Sequence, residues 1–314
     1  MPPRRANAKR VLHDLRLLSR PLMWLIPLVP FVLGYLMAHR QAGVHRGFCS
    51  PSNSDCISTI LSLVASILVW GPLISLAVLA INDVYDVAGD SLNPRRADAP
   101  VSHGRLSLHT TSIVAHTAGI VAIAVASSVR PAFGFVTFVF LVLGWLYSVP
   151  PVRLKVRPGF DVAINALGDG GLSVLGGWTS VRAIHGFPWI IFAVASSAAA
   201  ALYLPTTIAD YDSDRAAGYT TIAIRLGPGV AYQIGLGLWI LSGVGCFVLA
   251  AGRIVLPQRA VSVLLISIPA LIGLYRWAFG RVQEQRELLR GMGIVGGAAF
   301  LSLLIIVLMY VGVV

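Results

Sequence analysis

The residues with the clearest chemical signature are carboxylates. One run reads Asn82-Asp83-Val84-Tyr85-Asp86-Val87-Ala88-Gly89-Asp90, and a second reads Asp210-Tyr211-Asp212-Ser213-Asp214-Arg215-Ala216-Ala217-Gly218. On a helix, Asp83, Asp86 and Asp90 fall at i, i+3 and i+7 on one face, and Asp210 and Asp214 share a face at i, i+4. Asp212 points the other way and reads as solvated. Like charges stacked in this manner repel, so the pattern is costly unless a divalent cation offsets it. Mg2+ takes hard oxygen ligands in octahedral geometry and is usually held by one or two carboxylates together with substrate phosphates. The two stripes therefore predict a Mg2+–diphosphate clamp with Asp83, Asp86, Asp90, Asp210 and Asp214 as the metal-binding, catalytic carboxylates. The plainer alternative is a helix end carrying solvated acids. It competes for one run alone and is weak for two.

Cations stand where a diphosphate would need them. Tyr147-Ser148-Val149-Pro150-Pro151-Val152-Arg153-Leu154-Lys155 carries two prolines, which predict a rigid extended turn holding Arg153 and Lys155 in place. Arginine binds phosphate oxygens in a fork, and lysine acts as a point charge. We read both as phosphate contacts, the alternative being a topology anchor, which is the reading for Arg157. Asp169, in Gly168-Asp169-Gly170-Gly171, lies midway along an apolar run. A carboxylate at membrane depth costs about 2.5–3.5 kcal/mol on insertion scales and by default marks a cavity or pathway. Asn165 is one turn earlier on the same face. Two readings of Asp169 stand level: a base, orienting group or cation stabiliser for a second substrate, or a neutral buried carboxyl hydrogen-bonded to a neighbouring helix.

The elements that position these groups follow from composition. Of 314 residues, 56% are hydrophobic and 12% charged, against about 25% charged in a soluble domain. That excludes an ordinary soluble enzyme, a disordered chain and a disulfide framework. Apolar stretches near 21–38, 57–81, 107–128, 131–147, 161–181, 187–208, 229–251, 259–279 and 291–313 give nine expected spans. With the N-terminus inside, only Arg40, Arg46, Arg130, Arg182, Arg253 and Arg259 of the 24 Lys and Arg fall outside. Positive-inside topology thus explains the net charge of +11 without nucleic acid, and residues 1–20 form a basic cytoplasmic segment. The first apolar stretch lacks a small-residue cleavage site, so it is expected to stay in the chain.

Each acidic run follows the second helix of a four-span unit. Spans 1–4 and 5–8 therefore read as two related four-helix units within one membrane domain (1–314), with a ninth helix appended and the runs across a central cavity. Three cysteines show no metal-binding spacing. Cys49 and Cys56 fall outside, where a disulfide is permitted, and free thiols are the favoured reading. Cys246 reads as a small hydrophobe.

Taken in order, the motif Asn82, Asp83, Asp86, Asp90, the Tyr-Ser-x-Pro-Pro-x-x-Leu-Lys run from Tyr147 to Lys155, the motif Asp210, Asp214, Gly218, and Thr221 with Arg225-Leu226-Gly227 resemble the UbiA superfamily of intramembrane prenyltransferases. The likeness covers nearly the whole chain. Within the superfamily, the Pro-Pro turn and the Asp210–Leu226 stretch are similar to the chlorophyll synthase and lycopene elongase branches, and Ser19-Arg20-Pro21, Trp24 and Asn93-Pro94-Arg95 to the elongases.

The resemblance implies a Mg2+-dependent transferase that moves a polyprenyl group from its diphosphate to a lipophilic acceptor. The tail would lie in an apolar chamber open to lipid, and the reaction would pass through an allylic carbocation. It also implies substrate-binding roles for Asn82, Tyr147 and Arg153. Many relatives carry an arginine where this chain has Ala99, so Arg95 or Arg96 is expected to replace it. The expected location is the cell membrane, multi-pass, with the site opening to the cytoplasm. Two alternatives stay open: a terpene cyclase of the same fold, which needs no acceptor, and a cation transporter. Transporters place ion ligands near the midplane, whereas these carboxylates lie at one face.

Overall fold

Long apolar runs with polar punctuation become helices, and the described residues of the computed structural model contain no strand. Residues 8–41, 54–91, 96, 98–281 and 284–311 are described. In chain order the helices are α1 (Ala8–Ser19), α2 (Leu25–Gln41), α3 (Ser54–Leu68), α4 (Ile74–Tyr85), α5 (Val87–Asp90), α6 (Leu108–Val129), α7 (Pro131–Ser148), α8 (Phe160–Asn165), α9 (Ser173–Thr179), α10 (Trp189–Ala209), α11 (Tyr211–Ala216), α12 (Ile222–Leu226), α13 (Pro228–Ala251), α14 (Ala260–Phe279) and α15 (Gln285–Val311).

Starts and stops follow local chemistry. Ser107 caps α6 by accepting the Thr110 N–H at 3.0 Å, while α7 and α13 open on Pro131 and Pro228, where a missing N–H costs nothing. A π-helical segment, Val69–Leu73, joins α3 to α4 around Gly71 and Pro72. Proline lacks the donor that a regular α-turn needs there, so the hydrogen-bond ladder shifts.

Among the described residues, eight helices are long and apolar enough to cross a membrane: Pro21–Arg40, Cys56–Tyr85, Leu108–Val129, Pro131–Ser148, Trp189–Ala209, Pro228–Ala251, Ala260–Phe279 and Gln285–Met309. Their outward faces carry exposed Ile57, Leu61, Ile120, Phe135 and Ile266, which suits hydrocarbon rather than water. The chain is an integral multi-pass membrane protein. The expected fifth span, 161–181, is helical from Phe160 to Thr179 but turns π-helical over Ala166–Leu172. Its two aspartates, asparagine and glycines dilute its apolarity, and it is not among the eight.

The chain forms two compact units, Met1–Arg153 with Gly176–Ala183, and Leu154–Leu175 with Ile184–Val314. In the first, Leu18 of α1 is buried with Ala80, Ile81, Val101, Ala115 and Val149. Phe31 stacks on Trp70, and Trp70 on Phe133, at 5.3 and 5.8 Å. In the second, Val162, Ala166, Leu204, Ile222 and Ala231 pack α8, α10, α12 and α13 together. The Tyr275 hydroxyl donates to the Ala201 carbonyl at 2.8 Å.

The basic N-terminal segment includes a helix, α1, in which Leu18 is buried and Leu15 half-buried. One feature differs from expectation. Cys56 is disulfide-bonded rather than a free thiol; Cys49 lies outside the described residues. Cys246 is free, as expected.

Candidate active site

The first aspartate run does not form one straight stripe. Helix α4 ends at Tyr85, and Asp86 (φ −115°, ψ 10°) breaks the ladder before the short α5. The break divides the three carboxylates. Asp83 is 1% exposed, and its Oδ1 accepts from the guanidinium of Arg20 and from Arg96 Nη2 at 2.5 Å. The same Arg96 nitrogen reaches Asp90 Oδ2 at 2.9 Å, so one guanidinium ties Asp83 to Asp90. Asp86 instead meets Arg153, whose Nη2 also donates to the Tyr85 carbonyl, at 3.3 and 3.1 Å. Burial pushes the Asp90 carboxyl above its usual range, and the Arg96 hydrogen bond opposes that rise.

Arg20 and Arg153 both hold left-handed backbone, at φ 46° and 40°. For residues with a side chain that conformation costs about 1–2 kcal/mol, and such outliers gather at functional sites. Their ion pairs with the motif offset this cost. The sequence gives Arg20 no role beyond its place in the Ser19-Arg20-Pro21 run that resembles the elongases. Ala99 is buried, and Arg96 pairs with Asp83 and Asp90. Arg95 lies outside the described residues.

The Pro150–Pro151 turn docks on the same motif. Ser148 Oγ donates to Asn82 Oδ1 at 3.3 Å, and Tyr147 is half-buried at the end of α7. Lys155, in a short 3-10 turn of the second unit, is 7% exposed. Arg157 is exposed.

The second run also breaks at an aspartate. Asp210 (φ −93°, ψ 6°) separates α10 from α11. Its Oδ1 accepts from Gln285 Nε2 at 3.2 Å, and Asp214 Oδ2 accepts from the Thr221 hydroxyl at 3.3 Å. Both are half-buried, and Asp212 is exposed as expected.

A residue without a sequence-assigned role organises this region. Asp161, 1% exposed, accepts the Ile222 N–H at 2.9 Å, at the N-terminus of α12 next to Thr221. A carboxylate there satisfies an open helix donor and complements the helix dipole. Asp169 sits in the π-helical segment, half-buried. A side chain at Gly170 would lie 2.4 Å from the Ala195 carbonyl, so glycine lets this backbone press directly against α10. Such π-segments recur at functional sites. Asn165 turns its amide to the Asp161 carbonyl at 2.7 Å.

The donor chemistry fits Mg2+. Asp83 Oδ2 is buried with no hydrogen-bond partner among the described residues, leaving a hard acceptor available. Among those residues no three His, Cys, Asp or Glu side chains converge on one ion centre.

Residues 27–304 match the UbiA prenyltransferase family. A lycopene elongase/hydratase of Halobacterium salinarum is 30% identical over 81% of this chain and 86% of its own. A digeranylgeranylglyceryl phosphate synthase of Haloquadratum walsbyi is 30% identical over 70% of this chain and 75% of its own. The fold is shared with a UbiA homolog from Archaeoglobus fulgidus bound to GPP and Mg2+. That likeness has a TM-score of 0.68 at 22% identity and covers 95% of this chain and 98% of that one. The chain belongs to the UbiA prenyltransferase family and is a prenyltransferase.

Proposed function

We propose that the protein is a Mg2+-dependent transferase that moves a polyprenyl group from its diphosphate to a lipophilic acceptor within the bilayer. The observation that carries this reading is the first motif, in which Arg20 and Arg96 hold Asp83 and Asp90, Arg153 holds Asp86, and the buried Asp83 Oδ2 has no hydrogen-bond partner among the described residues. Asp83, Asp86 and Asp90, with Asp210 and Asp214 in the second unit, would hold Mg2+. When bound, the ion supplies charge that offsets the negative charge building on the leaving diphosphate.

The chain's own residues do the rest. Arg153, Lys155 and Arg96 bind diphosphate oxygens, with Asn82 and Tyr147 as polar contacts and Arg95 a further cation in the same loop. The allylic C–O bond breaks with its electron pair leaving on diphosphate, and the acceptor's electron pair captures the resulting cation. The acceptor then loses a proton, for which Asp169 is the proposed base or orienting group. Apolar helices keep water from the cation. Phe160–Thr179 is taken as a ninth span, the N-terminus as cytoplasmic, and the cell membrane as the location, with the site opening to the cytoplasm.

Purified protein in detergent, given geranylgeranyl diphosphate and Mg2+ with and without native lipid extract, tests the reading by mass spectrometry. A prenylated product formed only with extract supports transfer and weighs the acceptor. Diphosphate release without extract, yielding a cyclised product, makes the protein a cyclase. Mg2+ flux across liposomes without turnover would revert the reading to transport.

A further inference from the structure

A second basic site lies in the second unit, at the C-terminal end of α14. A cavity of about 360 Å3 is lined by Tyr232, Arg276, Trp277, Gly280 and Arg281. Both arginines are exposed, and among the described residues neither forms a salt bridge, although Glu284 and Glu287 follow closely in sequence. Gly280 lines the cavity without a side chain of its own. Gly280 donates its N–H to the Arg276 carbonyl at 2.8 Å. A Cβ at that position would lie 2.4 Å from the same carbonyl and 3.2 Å from the Tyr232 hydroxyl.

The surroundings point to a lipid rather than a free anion. Trp277, 62% exposed, stands at the end of a helix apolar enough to span a membrane, the level at which tryptophan marks the headgroup boundary. Below it on the same helical face, four and eleven residues earlier, lie exposed Gly273 and Ile266. No neighbouring atom lies within 4 Å of where a Gly273 side chain would begin. An acyl chain can therefore run along this face and end beneath two guanidiniums and a phenol. Arginine pairs give phosphate oxygens forked, charge-assisted hydrogen bonds, and basic pockets between membrane helices favour anionic headgroups.

We propose that this cavity binds the phosphate of an anionic glycerophospholipid, with an acyl chain lying on the Ile266–Trp277 face of α14. The site uses none of the residues assigned to the aspartate motifs.

Native mass spectrometry of the detergent-purified protein titrated with dioleoylphosphatidylglycerol or dioleoylphosphatidylcholine tests this. The expected result is retention of the anionic lipid, and a loss of about tenfold or more in its affinity in R276A/R281A, since each cation near an anionic headgroup contributes several-fold. R286A/R290A removes the same charge from α15 outside the cavity and should keep wild-type affinity. Equal retention by R276A/R281A, or equal binding of the two lipids, would overturn the proposal. So would equal losses in the two double variants, which would mean general surface charge, or displacement of the lipid by millimolar inorganic phosphate, which would mean a plain anion site. Thermal unfolding of each variant separates a lost site from a lost fold.

Discussion

The two aspartate motifs break their helices in the same way, at Asp86 and at Asp210, yet they differ in how deeply their carboxylates are buried. In the first, Asp83 and Asp90 are buried and held by guanidiniums, with Arg96 shared between them. In the second, Asp210 and Asp214 are half-buried, and their hydrogen bonds include an amide from Gln285 and a hydroxyl from Thr221. Charge-assisted hydrogen bonds are shorter and roughly twice as strong as neutral ones, and a buried charge stripped of its partner is costly. The first motif is therefore part of the structural core of its unit as well as of the site. The second, only half-buried, is expected to lose less stability when a charge is removed.

Substitutions can sharpen or break that contrast. The largest effect is expected for Asp83→Asn, which should lower kcat/KM by about 1000-fold and also lower the unfolding temperature, because Arg20 and Arg96 lose the charge they share. Asp214→Asn should cost about 100-fold in kcat/KM with a smaller fall in unfolding temperature than Asp83→Asn, because Asp214 is only half-buried. Matching thermal losses in the two variants would erase the distinction. Arg96→Ala should destabilise by about 2 kcal/mol, below the 3–5 kcal/mol of a fully buried pair because the guanidinium is partly exposed; thermal unfolding in detergent measures it. The smallest change is expected for Thr221→Val, about threefold to fivefold in kcat/KM, the size of one neutral hydrogen bond.

Residue type and spacing made the aspartates, the Pro-Pro turn and most spans legible in the sequence, because each carries its chemistry locally. Arg20 was not legible as a partner of Asp83: the two are 63 positions apart, and only the packing of α1 against α4 brings them together. Asp161 stayed silent for the same reason, since its role depends on the Ile222 N–H, 61 positions on. The apolar pattern of 161–181 marked a span but not its π-helical turn, which depends on glycine backbone pressed against α10. The aspartate stripe was read as continuous because helical spacing does not register a break at Asp86.

The most direct test of the central claim is Mg2+-dependent diphosphate release from geranylgeranyl diphosphate, measured with native lipid extract for wild type, Asp83→Asn and Asp214→Asn, each with Mg2+ and with EDTA. The account predicts turnover by wild type only with Mg2+ and losses of about 100-fold or more in both variants. Undiminished Mg2+-dependent turnover in either variant, or full wild-type turnover in EDTA, would contradict it.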